Sequence, residues 1–237
     1  MGNTPSILIE TKKFYVILDA GIGIYKAKQY VKTTKPIYLF ISHLHLDHIF
    51  GLHSFLGFYP QQGFTILGGG NFSKNLNKII REPFTASFKE LTQRGIPIKV
   101  IDLKRAHYKQ PIKFDCLPLQ HSHGLTLGYR LYLEDKIITY CCDTGPCDHV
   151  IKLSQNADCL IHECSLPSGV VDANWGHSGP EVAAEAAKLS GAKKLFLTHL
   201  TAADYDTKPK RHLAQTAARK IFKNSFVAHD GLIVEFK

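Results

Sequence analysis

Residues 36 to 51 read PIYLFISHLHLDHIFG, and the reading of the whole chain turns on them. An apolar run, Pro36 to Ile41, stops at Ser42, and four groups able to bind a metal follow: His43, His45, Asp47 and His48. Ile37 to Ile41 has the length and the β-branched and aromatic content of a buried strand. The donors therefore occupy a loop just past a strand's end, where side chains can converge on one point. His43 and His45, two residues apart in an extended turn, can face one ion. Asp47 and His48, where the chain starts to coil, can face a second beside it. Imidazole and carboxylate without thiolate suit Zn²⁺, Mn²⁺ or Fe²⁺ at a catalytic site rather than a closed cysteine site. A surface loop with chance histidines is a poor account of His-x-His-x-Asp-His directly after a buried strand.

Working outward, Ser6 to Glu10 and Phe14 to Asp19 read as a hairpin, and Asp19-Ala20-Gly21 as a sharp turn into a helix over Ile24 to Lys32. A short helix over Ile49 to Leu56 follows the donor loop, then a strand over Phe64 to Leu67 closed by a glycine turn, Gly68-Gly69-Gly70. Helices are predicted over Asn71 to Arg81 and Phe84 to Arg94. Strands are predicted over Ile96 to Leu103, Ile112 to Leu119, Leu125 to Leu133 and Lys136 to Cys141, the last two as a hairpin about Glu134-Asp135. A helix over Val150 to Ser154 and a buried strand over Cys159 to His162 come next. Ser178 and Glu181 match a capping box for a helix over Glu181 to Ser190, with Pro180 in its first turn. A strand over Lys194 to Thr198, a basic helix over Pro209 to Phe222 and closing strands over Phe226 to Ala228 and Leu232 to Phe236 complete the pattern. No repeat or linker breaks it, so one α/β domain over 1–237 is expected.

The 237 residues are 44% apolar and 21% charged, an ordinary globular balance. The net charge of +9 favours anionic partners. The clusters Lys104, Arg105, Lys109 and Lys208, Lys210, Arg211 read first as solvated faces. The six cysteines show no Cys-x-x-Cys pair, and no secretory signal opens the sequence, so reduced thiols and a cytoplasmic protein are expected. No apolar run approaches a membrane span.

Three later donors end predicted strands, where an α/β sheet presents its chemistry: His121, Asp143 and His199. With the first four they make seven ligands, about the number that two metals need. His123 is a rival to His121, and the sequence leaves that choice open.

His43-x-His45-x-Asp47-His48, then His121, Asp143 and His199, with Ile17-Leu18-Asp19-Ala20-Gly21 ahead of them, resembles the metallo-β-lactamase superfamily over nearly the whole chain. The resemblance implies a four-layer αββα sandwich with the site along its edge. It also implies one ion held by His43, His45 and His121, another by Asp47, His48 and His199, and Asp143 bridging them. Two divalent ions are implied as cofactors, Zn²⁺ first and Mn²⁺ or Fe²⁺ as alternatives. Gly128-Tyr129-Arg130, Cys142-Asp143-Thr144, Leu160-Ile161-His162-Glu163, Gly176-His177-Ser178 and Leu197-Thr198-His199 together look like its phosphodiesterase branch, which includes ribonuclease Z and the cyclic-phosphate phosphodiesterases of phosphonate metabolism. In that branch the matches to Glu163 and His177 work together. His177 would protonate the leaving alkoxide, Glu163 would orient it, and Asp47 would lie close to the nucleophile.

Two departures accompany the resemblance. Only 21 residues separate His121 from Asp143, and the predicted hairpin fills them, which leaves no room for the arm that grips tRNA in ribonuclease Z. Met1 to Pro5 is short for the strand that opens the fold in relatives, so that first strand is expected to be missing or reduced. The expected substrate is a small anionic cyclic or linear phosphodiester, with RNA 3′ ends as its largest form and no membrane partner; a homodimer is compatible with the resemblance. Two other readings stay open: a carboxylic-ester, thioester or lactone hydrolase on the same metals, and a non-catalytic binding relative of the pyrroloquinoline quinone biosynthesis type.

Overall fold

The computed structural model describes residues 2–57, 61–110, 112–121, 124–171 and 175–236. They form two compact units, Asn3–Lys104 and one that runs on from Arg105 and includes Gly2, each built on its own sheet.

In the first unit, β1 (Ile7–Glu10) and β2 (Tyr15–Leu18) pair antiparallel as expected. Thr11 closes their turn by donating its hydroxyl to the Phe14 carbonyl at 2.8 Å. Strands β3 (Ile37–Phe40), β4 (Phe64–Gly69) and β5 (Ile98–Leu103) add in parallel, in the order β1-β2-β3-β4-β5. Every residue of β2 is buried, as a near-continuous apolar run in the middle of such a sheet requires. The donor loop leads directly into α1 (Leu46–Ile49), which continues as a 3₁₀ helix over Phe50–Gly57. Helices α2 (Phe72–Ile79) and α3 (Phe88–Gln93) pack Phe72, Leu76, Phe88 and Leu91 against Tyr15, Ile17, Leu39 and Ile66 of the sheet.

Two elements of this unit differ from the sequence reading. The helix expected over 24–32 is a 3₁₀ helix over Ile22–Gln29. Its N-cap, Gly21, offers no side-chain acceptor, and its buried residues are Ile24 and Ala27. Residues three apart eclipse in a 3₁₀ helix, so this winding buries both on one line. It also packs closely: a Cβ on Gly51 would lie 2.2 Å from the Gly21 carbonyl oxygen. The helix expected over 84–94 is shorter because Ser87 caps it in a full capping box with Glu90, a pair the sequence reading passed over. Hydrogen bonds from the Ser87 hydroxyl and amide hold the Glu90 carboxyl below its usual range.

Among the described residues the second unit has seven strands: β6 (His107–Tyr108), β7 (Phe114–Leu119), β8 (Thr126–Leu133), β9 (Lys136–Cys141), β10 (Cys159–Glu163), β11 (Leu195–Thr198) and β12 (Ser225–Val227). Strands β6 to β9 run as an antiparallel meander, and β9 to β12 pair in parallel. Helices α4 (Asp148–Leu153), α5 (Pro180–Ser190) and α6 (Lys208–Ile221) supply Val150, Ala183, Ala187, Ala214 and Ala218 to a core with Leu160, Leu195 and Leu197. Alanines let the helices approach the sheet closely. Strand β6 escaped the sequence reading because two residues carry no period. The closing strand expected over Leu232–Phe236 is absent: the segment has no regular structure, and Ile233 is 68% exposed. β-branched content makes a strand only where a neighbour completes the ladder. Phe236 is held instead by the Lys194 ammonium, 5.3 Å from its ring centroid.

No helix among the described residues is long and apolar enough to cross a membrane. None of the six cysteines is in a disulfide. Burial pushes the thiol of Cys116 up to about 11 and those of Cys159 and Cys164 up to about 12. At pH 8 these thiols are therefore expected to resist iodoacetamide until the protein unfolds, with mass spectrometry of the folded and denatured protein as the check. Gly51→Ala should destabilise the protein by roughly 1–3 kcal/mol through overpacking against the Gly21 carbonyl, read as a lower midpoint of urea unfolding at unchanged slope.

Candidate metal centre

The first unit presents four of the expected donors at the end of β3. Ser42 turns the chain there, and its amide and hydroxyl donate to Asp19 Oδ1 and Oδ2 at 2.7 and 2.8 Å. Asp19 is fully buried at the end of the neighbouring β2. Its Oδ2 also accepts from His48 Nδ1 at 2.7 Å. A buried carboxylate survives only with its lone pairs satisfied, and here three donors satisfy it. With Nδ1 carrying the proton, Nε2 of His48 is the nitrogen that presents a lone pair. His43 is fixed similarly, its Nδ1 3.0 Å from the Ser42 hydroxyl. The His43 ring lies 4.4 Å from that of His45 and 4.2 Å from that of His48, centroid to centroid. His45 is the N-cap residue of α1 and exposed, and Asp47 in the first turn brings Oδ2 to 3.2 Å from His48 Nε2. The sequence reading took Asp19 for a turn residue only; an aspartate ending a buried strand was the available signal.

The second unit brings its residues together at the ends of parallel strands. The register pairs His162 with Cys141 and Glu163 with Thr198, so β9, β10 and β11 deliver Asp143, Glu163 and His199 to one edge. Asp143 and His199 each take a left-handed conformation, φ 54° and 53°. Such conformations cost on the order of 1–3 kcal/mol each and persist where the surroundings hold them. The holding group is Glu163. Its buried carboxylate accepts from the Thr144 amide at 2.6 Å, the Ser165 amide at 3.1 Å and His177 Nδ1 at 2.8 Å. Ser165 in turn meets His199 Nδ1 through its hydroxyl at 2.9 Å.

Asp143 stands between two imidazoles, with Oδ2 3.7 Å from His121 Nε2 and Oδ1 3.4 Å from His199 Nε2. Both spans exceed an ordinary hydrogen bond. They match two ligands about 2.0–2.2 Å from a shared ion, which lie roughly 3.3–3.7 Å apart. The Nδ1 atoms of both histidines are engaged, His121 on the Gly176 carbonyl at 3.3 Å and His199 on Ser165. The His/Asp donors thus suit divalent metal in chemistry, tautomer and spacing. The His177 ring lies 4.8 Å from the His121 ring and stacks at 6.1 Å from that of His199. Gly176 takes φ +70°, and a Cβ there would fall 2.4 Å from the Gln120 carbonyl, against the His121 backbone.

One expectation about this region is corrected. Ser178 and Glu181 form no capping box: the N-cap of α5 is Gly179, without a side-chain bond. The Ser178 hydroxyl donates instead to the Thr144 carbonyl at 2.6 Å, and Glu181 pairs with Ser168. Tertiary partners outbid the local ones. His123, the rival to His121, lies outside the described residues. Cys142 places Sγ 3.2 Å from Asp143 Oδ1, and Cys164 packs its thiol 3.7 Å from the Tyr205 hydroxyl. Burial holds His162 below the usual imidazole range, against the raising effect of the Glu163 backbone and charge.

Residues 15–200 match the β-lactamase superfamily domain. The chain belongs to the β-lactamase superfamily. Ribonuclease Z of Methanothermobacter thermautotrophicus is 44% identical over 103 residues, which is 42% of this chain and 32% of that protein. Ribonuclease Z of Bacillus velezensis is 25% identical across 94% of this chain and 89% of its own length, over 286 aligned positions. That alignment outruns the 237-residue chain, so the relative carries segments this chain lacks. The metallo-β-lactamase fold protein YhfI of Bacillus subtilis superposes with a TM-score of 0.77 at 22% identity, covering 98% of this chain and 92% of that one. The fold is that of the superfamily, and the chain is a metal-dependent hydrolase whose relatives are ribonuclease Z proteins.

Asp19→Asn, which keeps the side chain's size and an acceptor for the Ser42 amide, should weaken metal retention about 10- to 100-fold, because His48 loses the carboxylate that orients it. Competition with a chelating dye measures this; retention equal to wild type would remove Asp19 from the site's support.

Proposed function

We propose that this chain is a dinuclear-metal phosphodiesterase acting on small cyclic or linear phosphodiesters, RNA 3′ ends included. The observation that carries the reading is the pairing of the buried Glu163 carboxylate with the part-exposed His177, 2.8 Å apart, in the same unit as Asp143, His121 and His199. In this reading 1–237 works as a single domain, and the donors of its two units combine. His43, His45 and His121 would hold one ion, Asp47, His48 and His199 the other, with Asp143 shared. Within the first unit the His43 ring lies 4.4 Å from that of His45, and within the second Asp143 stands between His121 and His199, which supports that division. Zn²⁺ is the first choice, with Mn²⁺ and Fe²⁺ fitting the same donors. When bound, such ions supply Lewis acidity toward water and the phosphoryl oxygens.

The remaining work falls to the chain. Glu163 holds His177 by Nδ1, which leaves Nε2 as the nitrogen that carries a proton to the leaving alkoxide. Glu163 also keeps that imidazole from turning away, since its other oxygen is tied to Ser165. Asp47, on the exposed side of the donor loop, serves as a ligand and lies close to the nucleophile. Ribonuclease Z relatives at high coverage support phosphodiester chemistry, and the 21-residue span between His121 and Asp143 favours substrates that need no gripping arm. The same reading goes with a cytoplasmic protein and is compatible with a homodimer.

His177→Ala separates this reading from ester hydrolysis. The metal-loaded variant should retain cleavage of bis(p-nitrophenyl) phosphate, whose good leaving group needs no proton. It should lose about 10²–10⁴-fold on a 2′,3′-cyclic nucleotide. Chelation should abolish both reactions in the wild type. Hydrolysis of p-nitrophenyl acetate alone, indifferent to His177, would replace phosphodiesterase chemistry with carboxylic-ester chemistry.

A further inference from the structure

The first unit carries most of the chain's net positive charge. Asn3–Lys104 holds 13 Lys and Arg against 6 Asp and Glu, a net of +7, out of +9 for the chain. The charge is uneven even there: no acidic residue occurs between Asp19 and Asp47, a stretch with lysines at 26, 28, 32 and 35. Lys35 is committed to Glu10 at 2.7 Å. The other three lie on or just after the 3₁₀ helix Ile22–Gln29, interleaved with Tyr25 and Tyr30.

The winding of this helix decides what the surface shows. A threefold repeat buries Ile24 and Ala27 on one line, and the same repeat brings Ile22, Tyr25 and Lys28 onto another. That second line faces solvent: Ile22 is 42% exposed and Tyr25 49%, and Lys28 is exposed. Tyr30, 42% exposed, and the exposed Lys32 extend it past the helix end. Lys26 lies 5.9 Å from the Tyr25 ring centroid. The helix is also fastened to the donor loop of its own unit. The Ala20 amide donates to the His48 carbonyl and the Gly51 amide to the Ala20 carbonyl, both at 2.8 Å.

We infer that the 3₁₀ helix Ile22–Gln29 and its exit, Tyr25, Lys28, Tyr30 and Lys32, form a docking surface for single-stranded RNA beside the donor loop. Half-exposed tyrosines spaced among lysines, with no carboxylate between, match the two demands of a single strand: a π-face for a base and a cation for the phosphates. The inference rests on the phosphodiesterase reading for its choice of polyanion, and it gives that reading a means of holding a strand without an inserted arm.

The test is fluorescence anisotropy of a labelled short single-stranded RNA on the complete, metal-loaded chain, its integrity checked on a gel. The Tyr25→Ala/Tyr30→Ala double variant should bind about tenfold or more weakly. Lys28→Gln/Lys32→Gln should lower the slope of log affinity against log salt by roughly 1.4, two phosphate contacts. Both variants alter exposed side chains, so unfolding midpoints and hydrolysis of bis(p-nitrophenyl) phosphate should stay at wild-type values. RNA affinity unchanged in both variants overturns the inference, whatever the enzyme cleaves. A change in sedimentation of the tyrosine variant with unchanged RNA binding also overturns it, and assigns the surface to a second copy of the chain. RNA binding lost in the variants, by a wild type that cleaves no phosphodiester, upholds the surface and sinks the phosphodiesterase reading alone.

Discussion

The buried carboxylate of Glu163 sets the order of the second unit's edge. A charge removed from water has to be compensated by donors in good geometry, and removing one partner from such a group is strongly destabilising. Glu163 meets that requirement with the Thr144 amide, the Ser165 amide and His177. Each donor belongs to a different functional turn. Thr144 follows Asp143, Ser165 bonds His199, and His177 carries the ring next to His121. One carboxylate at the end of β10 thereby positions the residues delivered by β9, β11 and the loop before α5.

Asp19 does the same for the first unit. It too ends a buried strand, is fully buried and accepts from three donors, two of them on Ser42 and one on His48. The shared backbone device is a left-handed residue just past a strand, at Asp19, Asp143 and His199. An extended chain points alternate side chains to opposite faces. A single left-handed residue reverses the path and turns a side chain back toward the strand ends. The strain is affordable because the hydrogen bonds that need the side chain there are buried and satisfied.

The donor loop was legible because its signal is dense and local: a strand-length apolar run and four donors within six residues. The later donors were legible as strand ends, and the core strands because buried parallel strands read as unbroken apolar runs. What misled was chemistry whose partner lies far off in sequence. Ser178 and Glu181 carry the spacing of a capping box, yet their bonds go to Thr144 and Ser168. Ser87 and Glu90 have the same spacing and do form one. The spacing alone does not separate the two cases; Pro180, suited to the first helical position, moves the N-cap to Gly179. Leu232 to Phe236 has strand composition but takes no place in the ladder, and residues 22 to 29 have helical composition but wind as 3₁₀.

The sequence by itself determined the family and the order of the main elements, because these rest on spacing and apolar period within short windows. Only the tertiary structure decided how the side chains at the strand ends are held, Asp19 behind His48 and Glu163 behind His177, and that a 3₁₀ helix sets Ile22, Tyr25 and Lys28 along one exposed line. Those outcomes depend on partners 14 and 29 residues away, or on how closely two backbones pack, as Gly21 and Gly51 do. Burial makes such long-range satisfaction compulsory, and a linear pattern carries no record of which distant donor will supply it.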